Sequence, residues 1–273
     1  MMNKLWAMYF SPTGTTKKIV EGMAQDIRDN ISGISAIDRI DFTLPGVRRT
    51  ETVFTTDDLV VFGVPVYAGR VPNVLLKYFR TIKGNGALAV PVVVYGNRAY
   101  DDALIELKDL LEEDGFRVIA ACAFIGEHSF SKVLAQGRPD EQDMAVVSNF
   151  AKQIARKITA EAESQPIAVK GQKPYRNYYV PKDQEGKGID IRKVKPETSS
   201  ACNSCKICVE VCPMGSIDPE DPSRITGICI KCGACEKKCP VQAKYFTDPG
   251  YLWHKQDIEN KYSWPRKEPE LFI

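Results

Sequence analysis

Histidine is scarce in this chain: only His128 and His254 occur in 273 residues, which excludes a histidine-rich metal site. Neither sign of charge is in excess, with 37 basic against 35 acidic residues and a formal net charge of +2. That balance argues against a strongly basic protein that binds nucleic acid or anionic membranes. No apolar run approaches the roughly 18–20 residues of a membrane helix, so no membrane span is expected. Met1 to Phe10 runs straight into a strand-like stretch, with no signal-peptide hydrophobic region or small-residue cleavage site. A cytoplasmic location is therefore expected. Cysteine is almost missing from the first 200 residues, where Cys122 stands alone, and the other eight of nine crowd between Cys202 and Cys239. Two different kinds of domain are joined here.

The first 160 residues alternate apolar, β-branched runs with stretches of helical period, which implies βαβ units and a parallel sheet. The expected strands are Lys4–Phe10, Ser35–Phe42, Asp58–Val64, Ala87–Tyr95 and Arg117–Ile125. Three of them contain near-continuous apolar runs (LVVFGV, LAVPVVVY and VIAACAFI), the pattern of strands buried on both faces. The expected helices are Thr15–Asn30, Asn73–Ile82, Asp101–Asp114 and Glu141–Thr159. Asp101 or Asp102 and Asp140 suit N-caps, and Gly115 suits a helix stop. Residues 161–198 lack a sustained period and are rich in Lys, Pro, Gly and Tyr, so they read as a connector. Its length leaves two readings, a surface-lying linker or a segment that docks domains or subunits. The tail, residues 248–273, carries Tyr251, Trp253, Tyr262, Trp264 and Phe272 and is expected to pack on one of the domains.

The cysteines form an internal repeat. Cys202-x2-Cys205-x2-Cys208-x3-Cys212-Pro213 returns 27 residues later as Cys229-x2-Cys232-x2-Cys235-x3-Cys239-Pro240. So short a module cannot build a self-sufficient apolar core. Zinc sites usually pair cysteines rather than group them in threes, and disulfides need an oxidising compartment. The run resembles that of the two-cluster bacterial ferredoxins, in which the fourth cysteine ligates the other [4Fe–4S] cluster. The resemblance implies one cluster on Cys202, Cys205, Cys208 and Cys239, and another on Cys229, Cys232, Cys235 and Cys212. Many such ferredoxins are acidic. Here Lys206, Arg224, Lys231, Lys237, Lys238 and Lys244 face five acids, which points to a different docking surface.

Ser11, Thr13, Gly14, Thr15 and Thr16 follow the first expected strand and open the first helix. Hydroxyls and backbone N–H groups at a helix N-terminus can bind a phosphate. The Walker and Rossmann glycine patterns are both absent. The loop resembles the phosphate loop of flavodoxins, and two further loops extend the likeness. Pro65, Val66, Tyr67, Ala68, Gly69 and Arg70 follow the third strand; Tyr95, Gly96, Asn97, Arg98, Tyr100 and Asp102 follow the fourth. In flavodoxin-like folds these loops flank the isoalloxazine ring of FMN beside the topological switch point. The resemblance implies phosphate binding by the first loop and ring walls from the other two. Tyr67, Tyr95 or Tyr100 is a candidate to stack on the flavin, with ordinary packing as the alternative. Arg70 suits the negative charge of reduced flavin, with a solvated arginine as the alternative. Cys122 reads as a core thiol, and His128 as a loop residue near the flavin or a structural one.

Together the halves resemble the flavodoxin–ferredoxin fusion proteins of anaerobic bacteria and archaea. That resemblance implies an α/β, doubly wound five-stranded parallel sheet in order 2-1-3-4-5 over residues 1–160. It also implies a small α+β two-[4Fe–4S] domain over residues 199–247. FMN and two [4Fe–4S] clusters are the implied cofactors. The implied function is electron transfer between low-potential one-electron partners and FMN, with ferredoxin-type donors or acceptors and larger oxidoreductases as partners. A flavin-dependent reductase of a small acceptor and a docking module of a larger oxidoreductase remain as alternatives, and a homodimer stays open. No nucleic-acid partner and no pyridine-nucleotide fingerprint are indicated.

Overall fold

The computed structural model describes residues 4–160 and 166–273. The first residues of the N-terminal stretch and of the connector, 1–3 and 161–165, lie outside the described residues. Five parallel strands form the main sheet: β1 (Lys4–Tyr9), β2 (Ile37–Asp41), β3 (Asp58–Pro65), β4 (Leu88–Tyr95) and β5 (Ala121–Ile125). Their spatial order is β2-β1-β3-β4-β5, the flavodoxin-like 2-1-3-4-5 arrangement with its switch point between β1 and β3. In β3, Val60, Phe62 and Val64 join one core, while Leu59 and Val61 join the core on the opposite face. That division explains the unbroken apolar run, because both sides of the strand are covered.

Helices cover each face. α1 (Thr15–Asp29) and α4 (Glu141–Thr159) pack on one side through Ile19, Met23, Ile27, Val147, Phe150 and Ile154. The short α2 (Leu76–Phe79) and α3 (Ala103–Glu113) cover the other. Asp140 caps α4 and exchanges hydrogen bonds with Asp143 in a capping box. Cys122 is fully buried in the α1/α4 core, as expected.

Three expected elements change. The helix expected over residues 73–82 becomes a 3₁₀ turn, Asn73–Leu75, followed by α2; Ile82–Lys83 instead pairs with Thr52–Val53. The last strand splits into Arg117–Val118 and β5, because the Ile119 carbonyl accepts from Lys157 Nζ at 2.9 Å. Asp102 sits at the N-cap position of α3 without capping it, since its carboxylate holds the connector.

The ferredoxin-type segment is closed by β6 (Glu197–Thr198) pairing antiparallel with β7 (Lys244–Tyr245), and carries α5 (Ile207–Glu210) and α6 (Ala234–Lys237). α7 (Pro249–Tyr262) follows, and β8 (Glu270–Phe272) then adds an antiparallel sixth strand beside β5. Val194, Phe246 and Tyr251 form a small third core with Phe130 and Ile191. Connector, cluster segment, tail and the loop after β5 thus share it, which answers the lack of a self-sufficient core in the cysteine module. Not every tail aromatic packs: Tyr251 is 2% exposed, but Trp253 and Trp264 are 42% and 81% exposed. No helix among the described residues is long and apolar enough to cross a membrane.

Candidate functional site

Three loops at the carboxyl ends of β1, β3 and β4 meet in one cleft. Ser11, Thr13, Thr15 and Thr16 line one end of it. Gly14 takes the N-cap position just before α1 with φ +97°, a left-handed conformation that glycine adopts without a Cβ penalty. Among the described residues, no group accepts from the amides of Thr13, Thr15 or Thr16, and the first turn of α1 holds no acid. Open amides, neutral hydroxyls and a helix N-terminus fit a phosphate.

The loop after β3 also lines the cleft, through Pro65, Val66, Tyr67, Ala68 and Gly69. A tight turn holds Tyr67: its N–H donates to the Arg70 carbonyl at 3.0 Å, and Arg70 N–H donates back at 3.1 Å. Ala68 and Gly69 have φ of +52° and +79°, as a turn with two left-handed central residues requires. Tyr95, Gly96 and Arg98 line the opposite side. Arg98 is held by an ion pair with Asp101 and lies over the Tyr179 ring at 4.7 Å.

Four expected site residues have their side chains committed elsewhere. Arg70 makes a bidentate pair with Glu106, both contacts at 2.7 Å, and lies between the rings of Tyr175 and Tyr178. Asn97 is 3% exposed and donates to the Tyr262 carbonyl at 2.6 Å, which pins the tail. Tyr100 donates to Glu270 at 2.8 Å. Asp102 is fully buried and accepts from Arg176 N at 2.7 Å and Gln172 N at 3.1 Å. The physical reason is shared. Connector and tail pack against these loops, and each side chain holds one of those segments.

The loop after β5 brings Gly126, Glu127, His128 and Ser129 to the cleft. Of these only His128 was singled out in the sequence; the position at a strand's carboxyl end was the available signal for the rest. His128 Nδ1 accepts from Phe130 N at 3.1 Å, which places the imidazole proton on Nε2. Burial, with Lys237, His254 and Arg98 nearby, pushes its pKa down to about 3, so the ring is a neutral donor.

The eight cysteines surround two cavities in the crossed sets that the ferredoxin resemblance implied. Cys212, Cys229, Cys232 and Cys235 line one; Cys202, Cys205, Cys208 and Cys239 line the other. Among the described residues, no three His, Cys, Asp or Glu side chains converge as they would on a single metal ion. The thiols instead ring a space. Left-handed residues recur at matching places in the two copies: Ser204 and Lys231, Lys206 and Gly233, Gly215 and Gln242. Such turns aim successive amides into one concavity. Ser216 N–H donates to Cys212 Sγ at 3.4 Å and Ala243 N–H to Cys239 Sγ at 3.2 Å, a matched pair 27 residues apart. The donor set and the cradle fit two cubane clusters.

The two sites adjoin. Cys232 lines the flavin-type cleft as well as its own thiol cavity. A Cβ at Gly233 would stand 2.4 Å from the Ser129 carbonyl oxygen, so the cluster loop lies backbone to backbone on the loop after β5. Lys237 locks that contact: its ammonium pairs with Glu127 and donates to the carbonyls of His128 at 2.7 Å and Ser131 at 2.9 Å. Lys231 and Lys244 are also internal, at 6% and 3% exposure, so half of the six basic residues that the sequence offered for docking do not face a partner.

Comparison with known proteins agrees on the C-terminal segment. Residues 201–244 match the family described as 4Fe-4S dicluster domain. A 43-residue stretch is 54% identical to a ferredoxin designated 7Fe from Hydrogenibacillus schlegelii, covering 15% of this chain and 55% of that protein. The chain thus spans about half the length of that curated relative. Among solved structures, an archaeal flavodoxin overlaps 57% of this chain and 99% of its own at 16% identity and a TM-score of 0.41. The flavodoxin of Megasphaera elsdenii overlaps 56% and 98% at 16% identity and a TM-score of 0.37. The rubredoxin:oxygen oxidoreductase of Desulfovibrio gigas overlaps 59% and 37% at 17% identity and a TM-score of 0.41. The fold itself rests on the strand pairing described above. A flavodoxin-like sheet joined to a 4Fe-4S dicluster domain fits a flavodoxin–ferredoxin fusion.

Proposed function

We propose that this chain is an iron–sulfur flavoprotein that passes electrons between a protein partner and FMN along a path built into one polypeptide. The observation that carries the reading is the double position of Cys232, which lines both the inner thiol cavity and the flavin-type cleft. The other thiol set lies outward, with Cys205 exposed. Electrons then cross from partner to outer cluster, to inner cluster, to flavin, or the reverse. Bound in the cleft, FMN supplies a carrier that takes up two electrons, whereas each cluster passes one.

The chain's own residues do the positioning. Thr13, Thr15 and Thr16 hold the phosphate with hydroxyls and open amides. Tyr67 and Arg98 both line the ring site. His128 donates from Nε2 without adding charge, and Lys237 keeps the inner cluster loop against the cleft. Ferredoxin-type proteins and larger oxidoreductases are the partner class, and a cytoplasmic setting suits them. The path needs no second subunit.

Anaerobic purification tests the reading by composition. About one FMN and eight iron atoms per chain are expected from one cleft and two cubane sites. A protein with neither flavin nor labile sulfide contradicts it.

A further inference from the structure

A second cavity, of about 820 Å3, opens off the flavin-type cleft and shares Val66, Tyr67, Ala68, Arg98, His128 and Ser129 with it. Its far wall is the inner cluster loop, Ile228 to Lys231, including the ligand position Cys229. The connector forms its roof, and His254 and Ile258 of α7 close another side. The adjoining cleft offers only about 80 Å3, room for a phosphate and a sugar chain, so a flavin ring reaches into this chamber, and its 820 Å3 leaves space for a second flat ring beside the first.

The roof is fixed. Tyr179 N–H donates to the Ala68 carbonyl at 2.8 Å, and Ile189 N–H to the Pro181 carbonyl at 2.8 Å. The Tyr178 hydroxyl donates to the Val71 carbonyl at 2.8 Å. The Tyr179 ring lies between Arg98 at 4.7 Å and His254 at 5.7 Å. A plain tether would need none of these contacts. The lining is mainly apolar, with Val66, Ile191, Ile228, Ile230 and Ile258. Its charged groups are already partnered: Arg98 pairs with Asp101, Arg192 with Asp190 at 2.8 Å, and Lys231 Nζ donates to the Cys229 carbonyl at 2.7 Å. Apolar walls, partnered charges and the neutral Nε2–H donor of His128 suit a flat, uncharged body that carries electron-rich oxygens.

We propose that this chamber binds a flat conjugated molecule bearing carbonyl oxygens, of the quinone class, and that the chain reduces it. The proposal rests on the reading that the adjoining cleft holds FMN. Two electrons, delivered singly by a reduced ferredoxin-type donor through the clusters, and two protons from solvent convert the two C=O groups into two C–OH groups. The donor is oxidised by the same two electrons.

The test uses the full chain loaded with FMN and clusters, in the oxidised state, and menadione as the probe in equilibrium dialysis. Saturable binding of about one menadione per chain is expected. Val180→Trp from the roof and Asn73→Trp from the opposite wall change exposed positions and fill the chamber. Each should weaken menadione binding by about tenfold or more, with FMN and iron content unchanged. No saturable binding, or wild-type binding in both variants, overturns the proposal. So does binding that occurs only after FMN is removed, because the chamber is then just the seat of the flavin ring. Flavin released from the same sample tests the FMN reading separately.

Discussion

At the residue scale, the phosphate end of the cleft rests on neutral donors. Thr15→Ala removes one hydroxyl and should weaken FMN binding by about tenfold, near the upper range for a single hydrogen bond. Titration of the FMN-free protein with FMN, followed by fluorescence, checks this; unchanged affinity would move the phosphate elsewhere. His128 carries a pH signature. Its folded pKa, about 3, lies below the ordinary value of 6.5. The unfolded chain therefore binds the extra proton first as the solution is acidified. The stability that follows from a neutral His128 is complete above about pH 6.5 and falls, by at most about 1.4 kcal/mol per pH unit, toward pH 3. Melting temperatures between pH 7.5 and 5.5 should decline less in His128→Gln than in the parent. The residues that proved hard to read were Arg70, Asn97, Tyr100 and Asp102. Motif position placed each in a flavin loop, but their partners come from residues 106, 176, 262 and 270, and no local pattern announces such pairings.

At the element scale, long periodic segments were legible and short ones were not. α4 matches its expected span because Val147, Phe150, Ala151 and Ile154 repeat at helical spacing and Asp140 caps it. β8 has three residues, one of them Glu270, and exists because β5 leaves an edge open. Removing residues 264–273 should therefore cost more than their composition suggests. The deletion takes away β8, the Arg266–Asp140 pair and the Lys267 carbonyl that accepts from buried Arg138 at 2.7 Å. A loss on the order of 2–3 kcal/mol is expected in denaturant unfolding, since several hydrogen bonds contribute about 0.5–1.5 kcal/mol each and the half-buried, solvent-screened ion pair little. An unchanged midpoint would show that the strand is ornamental. The α6 clamp makes a different prediction. Lys237→Met leaves Glu127 and two carbonyls without their donor. FMN and iron content should persist while electron exchange between inner cluster and flavin slows.

At the scale of the whole molecule, the crossed ligand sets were legible because the repeat resembles the two-cluster bacterial ferredoxins, in which the fourth cysteine crosses to the other cluster. Their contact with the flavin-type cleft was not, because it depends on Gly233 meeting Ser129 across more than 100 residues of chain. The cluster segment stands on a shared core of Val194, Phe246, Tyr251 and Phe130, so its orientation is set by packing rather than by a tether. On the proposed reading, a flavin and an inner cluster held in this way exchange electrons within one chain. Stopped-flow reduction with dithionite, following cluster bleaching and then flavin bleaching, measures that exchange directly. The account predicts a first-order rate for cluster-to-flavin transfer that does not change with protein concentration and falls in Lys237→Met. A rate that rises in proportion to protein concentration would contradict it, because the electrons would then be travelling between molecules.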